Sequence, residues 1–362
     1  MDINVKRFVN IDIHHKISSS ISSVRDTVVL LTSEGSANAS KIFNSYDEIL
    51  TDATYKAYTK TLKYAKIFFD NNGIKLDIHC GITDKSTILT EIKKLPTYEI
   101  VVAYCGDASE MKDAAKDITA DIGTTDDISK VYGVNQKILL SRVTVAEDNK
   151  LIENFAVKVS NIEGAEMTIA AYLTKLDIYG NNSIQDYAFT SESIDAEDND
   201  DAVLGNVLTN NMNVDMTLAN AIRNLGGNLT NGIDIVNQYM LIVLQQTVTD
   251  RLLNLLTQKI KGQSGVSAIY TTIAGELGRY VTNGYLTTDK IWTDNTKTIS
   301  YNGKTYTLIE KNTPLPLGYK ITVLPLNSLT EEDIKAHKCP PIYIFLAESY
   351  GIRNITINGE VI

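Results

Sequence analysis

Residues that build covalent frameworks or carry catalysis are scarce in this chain. Its three cysteines, Cys80, Cys105 and Cys339, include no CxxC pair, and so sparse and odd a set reads as reduced thiols, not as a disulfide framework. The four histidines, His14, His15, His79 and His337, fall in no HExxH or HxH pattern, so no zinc-like spacing is present and no metal ligand is expected. Gly226-Gly227-x4-Gly232 precedes a helical stretch, but no Lys-Ser/Thr follows and the spacing is not GxGxxG; a phosphate cradle is not expected. GxSxG is absent. Basic residues are outnumbered, 34 against 44 acidic, for a formal net charge of −10. That balance argues against a nucleic-acid backbone or an anionic membrane as partner.

Long apolar runs are missing too. The greasiest stretch, 233–256, is interrupted by Asp234, Asn237, Gln238, Gln245, Gln246, Asp250 and Arg251. A membrane span needs about 20 predominantly apolar residues, so this reads as a core or interface helix. The opening MDINVKRFV holds no apolar h-region, so no signal peptide is expected and the product is expected to be made in the cytoplasm.

What is present is ordinary globular material, 43 % apolar and 22 % charged over 362 residues, enough for two domains with proper cores. Tyrosine is plentiful, 19 against seven Phe and one Trp, a residue suited to interfaces and to core rims alike. The pattern from 24 to 180 alternates strands and helices: TVVLLT (27–32), a helix over 54–69 with Tyr58, Leu62, Ala65 and Phe69 on its apolar face, strands at 75–80 and 99–105, helices at 87–95 and 109–122, strands at 136–145 and 154–160, and a helix at 164–176. Such alternation predicts a largely parallel sheet with helices on its faces. An acidic stretch over 187–201 follows. Asp195, Glu197, Asn199 and Asp201 space oxygen ligands as a calcium loop does, but Asp200 stands at the loop-glycine position and Asn206 where the closing Glu belongs; a solvated interdomain loop is expected. Beyond it come a long helix over 233–260, a second over 266–281, an Asn302-Gly303 hairpin within 298–309, strands at 319–324 and 342–346, and a short helix started by Thr330 and Asp333.

Both ends alternate strictly. Val9, Ile11 and Ile13 alternate with polar residues, as do Ile355, Ile357 and Val361 in 350–362, the signature of strands with one buried face. Ser18, Ser19, Ser20, Ser22 and Ser23 form a polar joint, a candidate hinge. The expected division is an N-terminal β arm and hinge (1–23), an α/β domain (24–190), an α+β domain (191–348) and a C-terminal β arm (349–362). Cys105-Gly106-Asp107 follows a strand as α/β active-site loops do, which keeps a flavodoxin- or Rossmann-like enzyme as one alternative; another structural assembly protein, such as a tube, capsid or filament subunit, is the other.

In order and spacing the chain resembles contractile tail sheath proteins, the outer sleeve of contractile phage tails and R-type bacteriocins. The resemblance rests on GGNLTNGIDI (226–235) leading into the long helix, the second helix ending in Asn-Gly-Tyr and the single Trp292, and the β-rich stretch AHKCPPIYIFLAESYGIRNITINGEVI (336–362). In the first half it rests on TVVLLTS, TYKAYTKTLKYAKIFFDNNG and KLDIHCGI. His337-Lys338-Cys339-Pro340-Pro341 replaces the family's Arg-x-x-Pro, and Ser349-Tyr350-Gly351 its small residues. The resemblance implies a non-enzymatic structural subunit without cofactors, forming hexameric rings stacked helically around an inner tail tube and meeting baseplate and tail terminator proteins. It implies a place in a virion tail or an extracellular contractile particle, with no nucleic acid or membrane contact by this subunit. It further implies that the terminal arms add strands to sheets of neighbouring copies. The long helix then serves either as a scaffold near the tube or simply as core.

Overall fold

The computed structural model describes residues 26–96, 98–124, 137–148, 152–176, 186–197, 200–218, 220–258 and 260–349. Val9, Ile11, Ile13, the serine joint, Ile355, Ile357 and Val361 lie outside them.

The elements of the first half are β1 (Thr27–Thr32), β2 (Ser40–Phe43), α1 (Tyr46–Thr51), α2 (Thr59–Asp70), β3 (Lys75–His79), α3 (Lys85–Lys94), β4 (Val101–Cys105), α4 (Ala108–Thr124), β5 (Ile138–Val143), β6 (Phe155–Val159), α5 (Met167–Thr174), α6 (Asp201–Thr209), β7 (Asn213–Leu218) and β8 (Ala221–Leu225). The strands form one sheet in the order β2-β3-β1-β4-β5-β6-β7-β8. Its six inner strands are parallel, and the edge strands β2 and β8 run antiparallel to their neighbours. All six residues of β1 are buried, as expected of a parallel strand covered on both faces. Val28 and Leu30 pack with Phe68, Leu76 and Ile78 on one face. Val29 and Leu31 pack with Ile88, Ile92 and Met111 on the other.

Three features differ from the sequence expectation. Helix α2 begins at Thr59, later than the expected 54, and buries Thr61, Tyr64, Ala65 and Phe68, with the expected Tyr58, Leu62 and Phe69 half-buried against the same core. Tyr58 is extended (ψ 90°), and Glu34 accepts from the Lys60 and Thr61 N–H groups, which fixes where the helix begins. The sheet also runs past residue 190, taking β7 and β8 from beyond it. The acidic stretch between is built into the fold: the Glu197 carboxylate accepts from Ser160 Oγ and Asn161 N, both at 2.7 Å, and Asp200 caps α6, an element the sequence did not announce.

Behind β8, Gly226 (φ 127°) turns the chain where a Cβ would lie 2.5 Å from the Met212 carbonyl oxygen. The chain then enters α7 (Ile235–Leu256) through an Asp234 cap that accepts from Val236 and Asn237 N–H. Every residue of α7 from 238 to 249 is buried, so this helix is core. It shares one apolar cluster with the sheet and with Ile273, Leu277, Tyr285 and Ile344. Arg251 of α7 pairs with Glu276 of the next helix, α8 (Gly262–Thr282), at 3.1 Å. The remaining elements are β9 (Lys290–Ile291), β10 (Lys297–Tyr301), β11 (Lys304–Ile309), β12 (Pro314–Leu315), β13 (Tyr319–Val323), α9 (Glu331–Lys335) and β14 (Ile342–Leu346). They form three two-stranded sheets, β10-β11, β12-β9 and β13-β14, around a smaller core of Leu308, Ile309, Leu315, Leu324 and Phe345. The β10-β11 turn is the expected Asn302-Gly303, both at positive φ. The architecture is thus α/β followed by α+β.

A buried polar node ties the far side of the sheet together. Lys158 of β6, with no exposed side-chain surface, places Nζ 2.7 Å from Asp215 Oδ1 and 2.8 Å from Glu192 Oε2. It also donates to Tyr187 OH, Thr168 Oγ1 and Asn224 Oδ1. One ammonium serves two carboxylates. Burial pushes both carboxyls up; at Glu192 the charge of Lys158, with further hydrogen bonds to the carboxylate, outweighs it. Asp215, by contrast, is held at about 7 by burial against the pull of Lys158.

Lys158→Met is expected to leave both acids buried without their cation and to cost about 3–5 kcal/mol, read as a drop in the urea unfolding midpoint; an unchanged midpoint would refute the node's importance. Glu166, 1 % exposed, has its carboxyl raised to about 7 by burial. A carboxyl raised in the folded state favours folding below its unfolded value of about 4.3 and loses that contribution as pH climbs through 7. Glu166→Gln is therefore expected to gain on the parent by up to about 3 kcal/mol between pH 5 and pH 8, and parallel urea profiles would contradict this.

Candidate functional site

Two places on this scaffold qualify as sites by position. The first is the crevice of the parallel sheet. Its strands β3-β1-β4-β5-β6 run in flavodoxin-like order, with the strand order reversing between β1 and β4, the place where such folds bind nucleotides. The loop after β4 is the expected Cys105-Gly106-Asp107. Cys105 is buried, and burial pushes its thiol well above the usual range. Asp107 accepts from Ser109 N and Oγ at 2.9 Å, which starts α4. At the facing loop, Glu34 from the end of β1 accepts from Thr61 N and Thr61 Oγ1 at 2.8 Å. The anion position at the start of α2 thus holds the chain's own carboxylate, and its charge repels a phosphate.

The second place is where the chain enters and leaves the described body. It enters at Asp26, whose carbonyl accepts from Lys75 N at 3.1 Å and whose carboxylate pairs with Lys75 Nζ at 2.7 Å, at the base of the central strand. It leaves at Ser349, which is clamped. Ser349 N donates to Tyr285 O at 2.9 Å, Asn237 Nδ2 donates to Ser349 O at 2.8 Å, and Ser349 Oγ donates to Gly284 O. Leu286 and Glu348 form an antiparallel bridge just before it.

The clamp adjoins open strand edges. On the large sheet, the β8 edge is closed by the 189–191 segment: Phe189 N donates to Asn224 O at 2.7 Å and Asn224 N to Thr190 O at 3.0 Å. Lys41 and its partner Asp52 stand at the β2 edge, a charge placement that discourages pairing. Among the described residues the β13-β14 sheet has two strands, so each has an edge with no described sheet neighbour. Its Ile321, Ile342, Ile344 and Leu346 pack on the main core and Phe345 on the smaller one, which holds the pair rigid. A groove runs beside β14, walled by Lys290, Ile291 and Trp292 opposite the stretch from Ile344 to Glu348. Ile291 is 55 % exposed there.

All the residues assigned to arms and hinge from sequence fall outside the described part. The clamp at Asn237, Tyr285 and Ser349 and the β14 groove were missed, because the polar contacts join positions more than 60 residues apart. No helix among the described residues is long and apolar enough to cross a membrane.

No protein-family profile and no curated protein sequence matches the chain. Solved structures do. The helical sheath of the anti-feeding prophage in its contracted state superposes with a TM-score of 0.59 at 12 % identity, over 98 % of each chain. A chain from the contracted baseplate of the same particle gives 0.60 at 13 % identity, again over 98 % of each chain. A sheath tail protein of Listeria innocua gives 0.50 at 10 % identity, over 90 % of this chain and 96 % of that one. The likeness is one of fold over nearly the whole chain.

Millimolar FMN, NAD or ATP is expected to leave the melting temperature unchanged, and a rise of several degrees would place a nucleotide in the β1/β4 crevice after all.

Proposed function

We propose that this chain, which carries the fold of contractile sheath proteins, is a structural sheath subunit and not an enzyme. The observation that carries the reading is the full-length fold match to a helical sheath at 98 % coverage of both chains. Copies polymerise as stacked hexameric rings around an inner tube, in a phage-type tail or an extracellular contractile particle. They connect to a baseplate below and to a terminator above. Contraction is rigid-body rotation and sliding of these subunits, driven by stored conformational free energy. A carboxylate in the crevice where a nucleotide phosphate would sit agrees with a machine that hydrolyses none.

The terminal segments are the working joints. Residues 350–362 leave the clamp at Ser349 and add a strand to the β13-β14 sheet of another copy, as does the 1–23 segment through Val9, Ile11 and Ile13. Main-chain hydrogen bonds supply affinity and the alternating Ile355, Ile357 and Val361 supply register. Ordering a ten-residue arm costs on the order of 1–2 kcal/mol per residue. Backbone hydrogen bonds return about 0.5–1.5 kcal/mol each, and each buried Ile or Val roughly 1.5–3 kcal/mol. These terms nearly cancel at a single joint, and two arms per copy act multivalently. Ser18, Ser19, Ser20, Ser22 and Ser23 let the N-terminal joint pivot while its strand stays paired.

Purified full-length protein is expected to form rings or tubes by negative-stain microscopy, and a variant ending at Ser349 is expected to stay monomeric by light scattering with an unchanged circular dichroism spectrum. Assembly of the shortened chain into the same tubes would sink the arm mechanism.

A further inference from the structure

The fold brings together a group of side chains that neither the sheath reading nor the sequence spacing uses. Asp77 and His79 lie two apart on β3, so both point to the sheet face opposite Leu76 and Ile78. Glu99 reaches them from the loop entering β4. One ligand atom of each lies within 4.8 Å of the other two. Glu91 Oε1 of α3 sits 2.8 Å from His79 Nδ1, which makes Nδ1 the N–H and turns Nε2 toward Asp77 Oδ2, 3.1 Å away. A carboxylate that orients an imidazole in this way is the usual partner behind a metal-bound histidine.

Glu99 is 3 % exposed, and its Oε2 accepts no hydrogen bond; neither does Asp77 Oδ1. The cations nearby are committed elsewhere. Lys94 pairs with Glu91 at 2.9 Å, and Lys137 Nζ donates to the carbonyl oxygens of Pro96 and Glu99. Two buried carboxyls therefore face each other across an imidazole that Asp77 and Glu91 favour in its protonated form, and a metal ion bound at Nε2 would take the place of that proton. Burial, and then Asp77, outweigh the pull of Lys137 and His79 and hold the Glu99 carboxyl up to about 7.

We propose that Asp77, His79 and Glu99 bind a divalent first-row transition ion, with zinc the best fit, as a cross-link between β3 and the loop into β4. One imidazole and two carboxylates suit zinc, manganese or cobalt better than magnesium or calcium, which favour oxygen-only shells. Three protein ligands leave the fourth tetrahedral position to water. The ligand atoms must close to about 3.3 Å for zinc bonds of about 2.0–2.2 Å, within reach of side-chain rotation.

The test uses full-length protein stripped with chelator and titrated with zinc chloride, and separately with cobalt chloride. Cys339 is exposed with His337 two residues before it, and His14-His15 adjoin each other, so the parent is the Cys339→Ser, His14→Ala, His15→Ala variant. One zinc per chain is expected to survive gel filtration, and cobalt is expected to give visible d–d absorption. Loss of retention in this parent overturns the proposal. His79→Gln is expected to weaken zinc at least tenfold, and equal retention by it also overturns the site. Should His79→Gln misfold, Glu91→Gln is read instead. It keeps all three ligands and removes only the group that orients the imidazole, so affinity is expected to fall about ten- to hundredfold; unchanged affinity overturns the site.

Discussion

A helix buried on every side must be covered on every side, and α7 is that helix over its middle turns. Its residues 238–249 are buried without interruption, including Gln245 and Gln246. The sheet and α5 lie in its cluster, with α8, Tyr285 and β14. One element thereby welds the α/β half to the α+β half, and the cost of exposing it keeps the two from parting. The same helix also anchors the end of the described chain: Asn237, in its first turn, donates to the carbonyl of Ser349.

This rigidity suits a subunit that moves as a body. A contractile lattice needs units that keep their shape while their joints pivot, and it needs stored energy in the joints, not chemistry in a pocket. Two details of the α/β half are compatible with the proposed role. Where a nucleotide-binding relative of this sheet order would leave helix N–H groups open to phosphate, Glu34 occupies those of Lys60 and Thr61. Where a catalytic loop would expose a nucleophile, Cys105 is buried with its thiol pushed up. The Lys158 node spends its charge on holding β6 to β7 and β8.

Much of this was legible in the sequence, for physical reasons. Strands such as β1 and β4 announce themselves as short apolar runs because both faces are buried. The Asn302-Gly303 hairpin and the Thr330/Asp333 capping box are local chemistry and were readable as such. The start of α2 falls later than its pattern suggests because a distant carboxylate, Glu34, holds its first N–H groups. The extent of the sheet was misread because polar 195–201 resembles a linker, while Glu197 and Asp200 are in fact a bracket and a cap. Asp77, His79 and Glu99 were invisible as a group, since the crossover through α3 brings them together and no spacing rule records it. The clamp at Ser349 and the groove beside β14 belong to the same class of long-range fact.

The proposed arm mechanism turns on where residues 350–362 go in an assembled particle. A cryo-electron microscopy map of the assembled particle, at a resolution that traces side chains, measures it directly. The account predicts that Ile355, Ile357 and Val361 are buried as an added strand on the β13-β14 sheet of a different copy. A map in which residues 350–362 fold back onto their own chain, with copies joined through other surfaces, would contradict it.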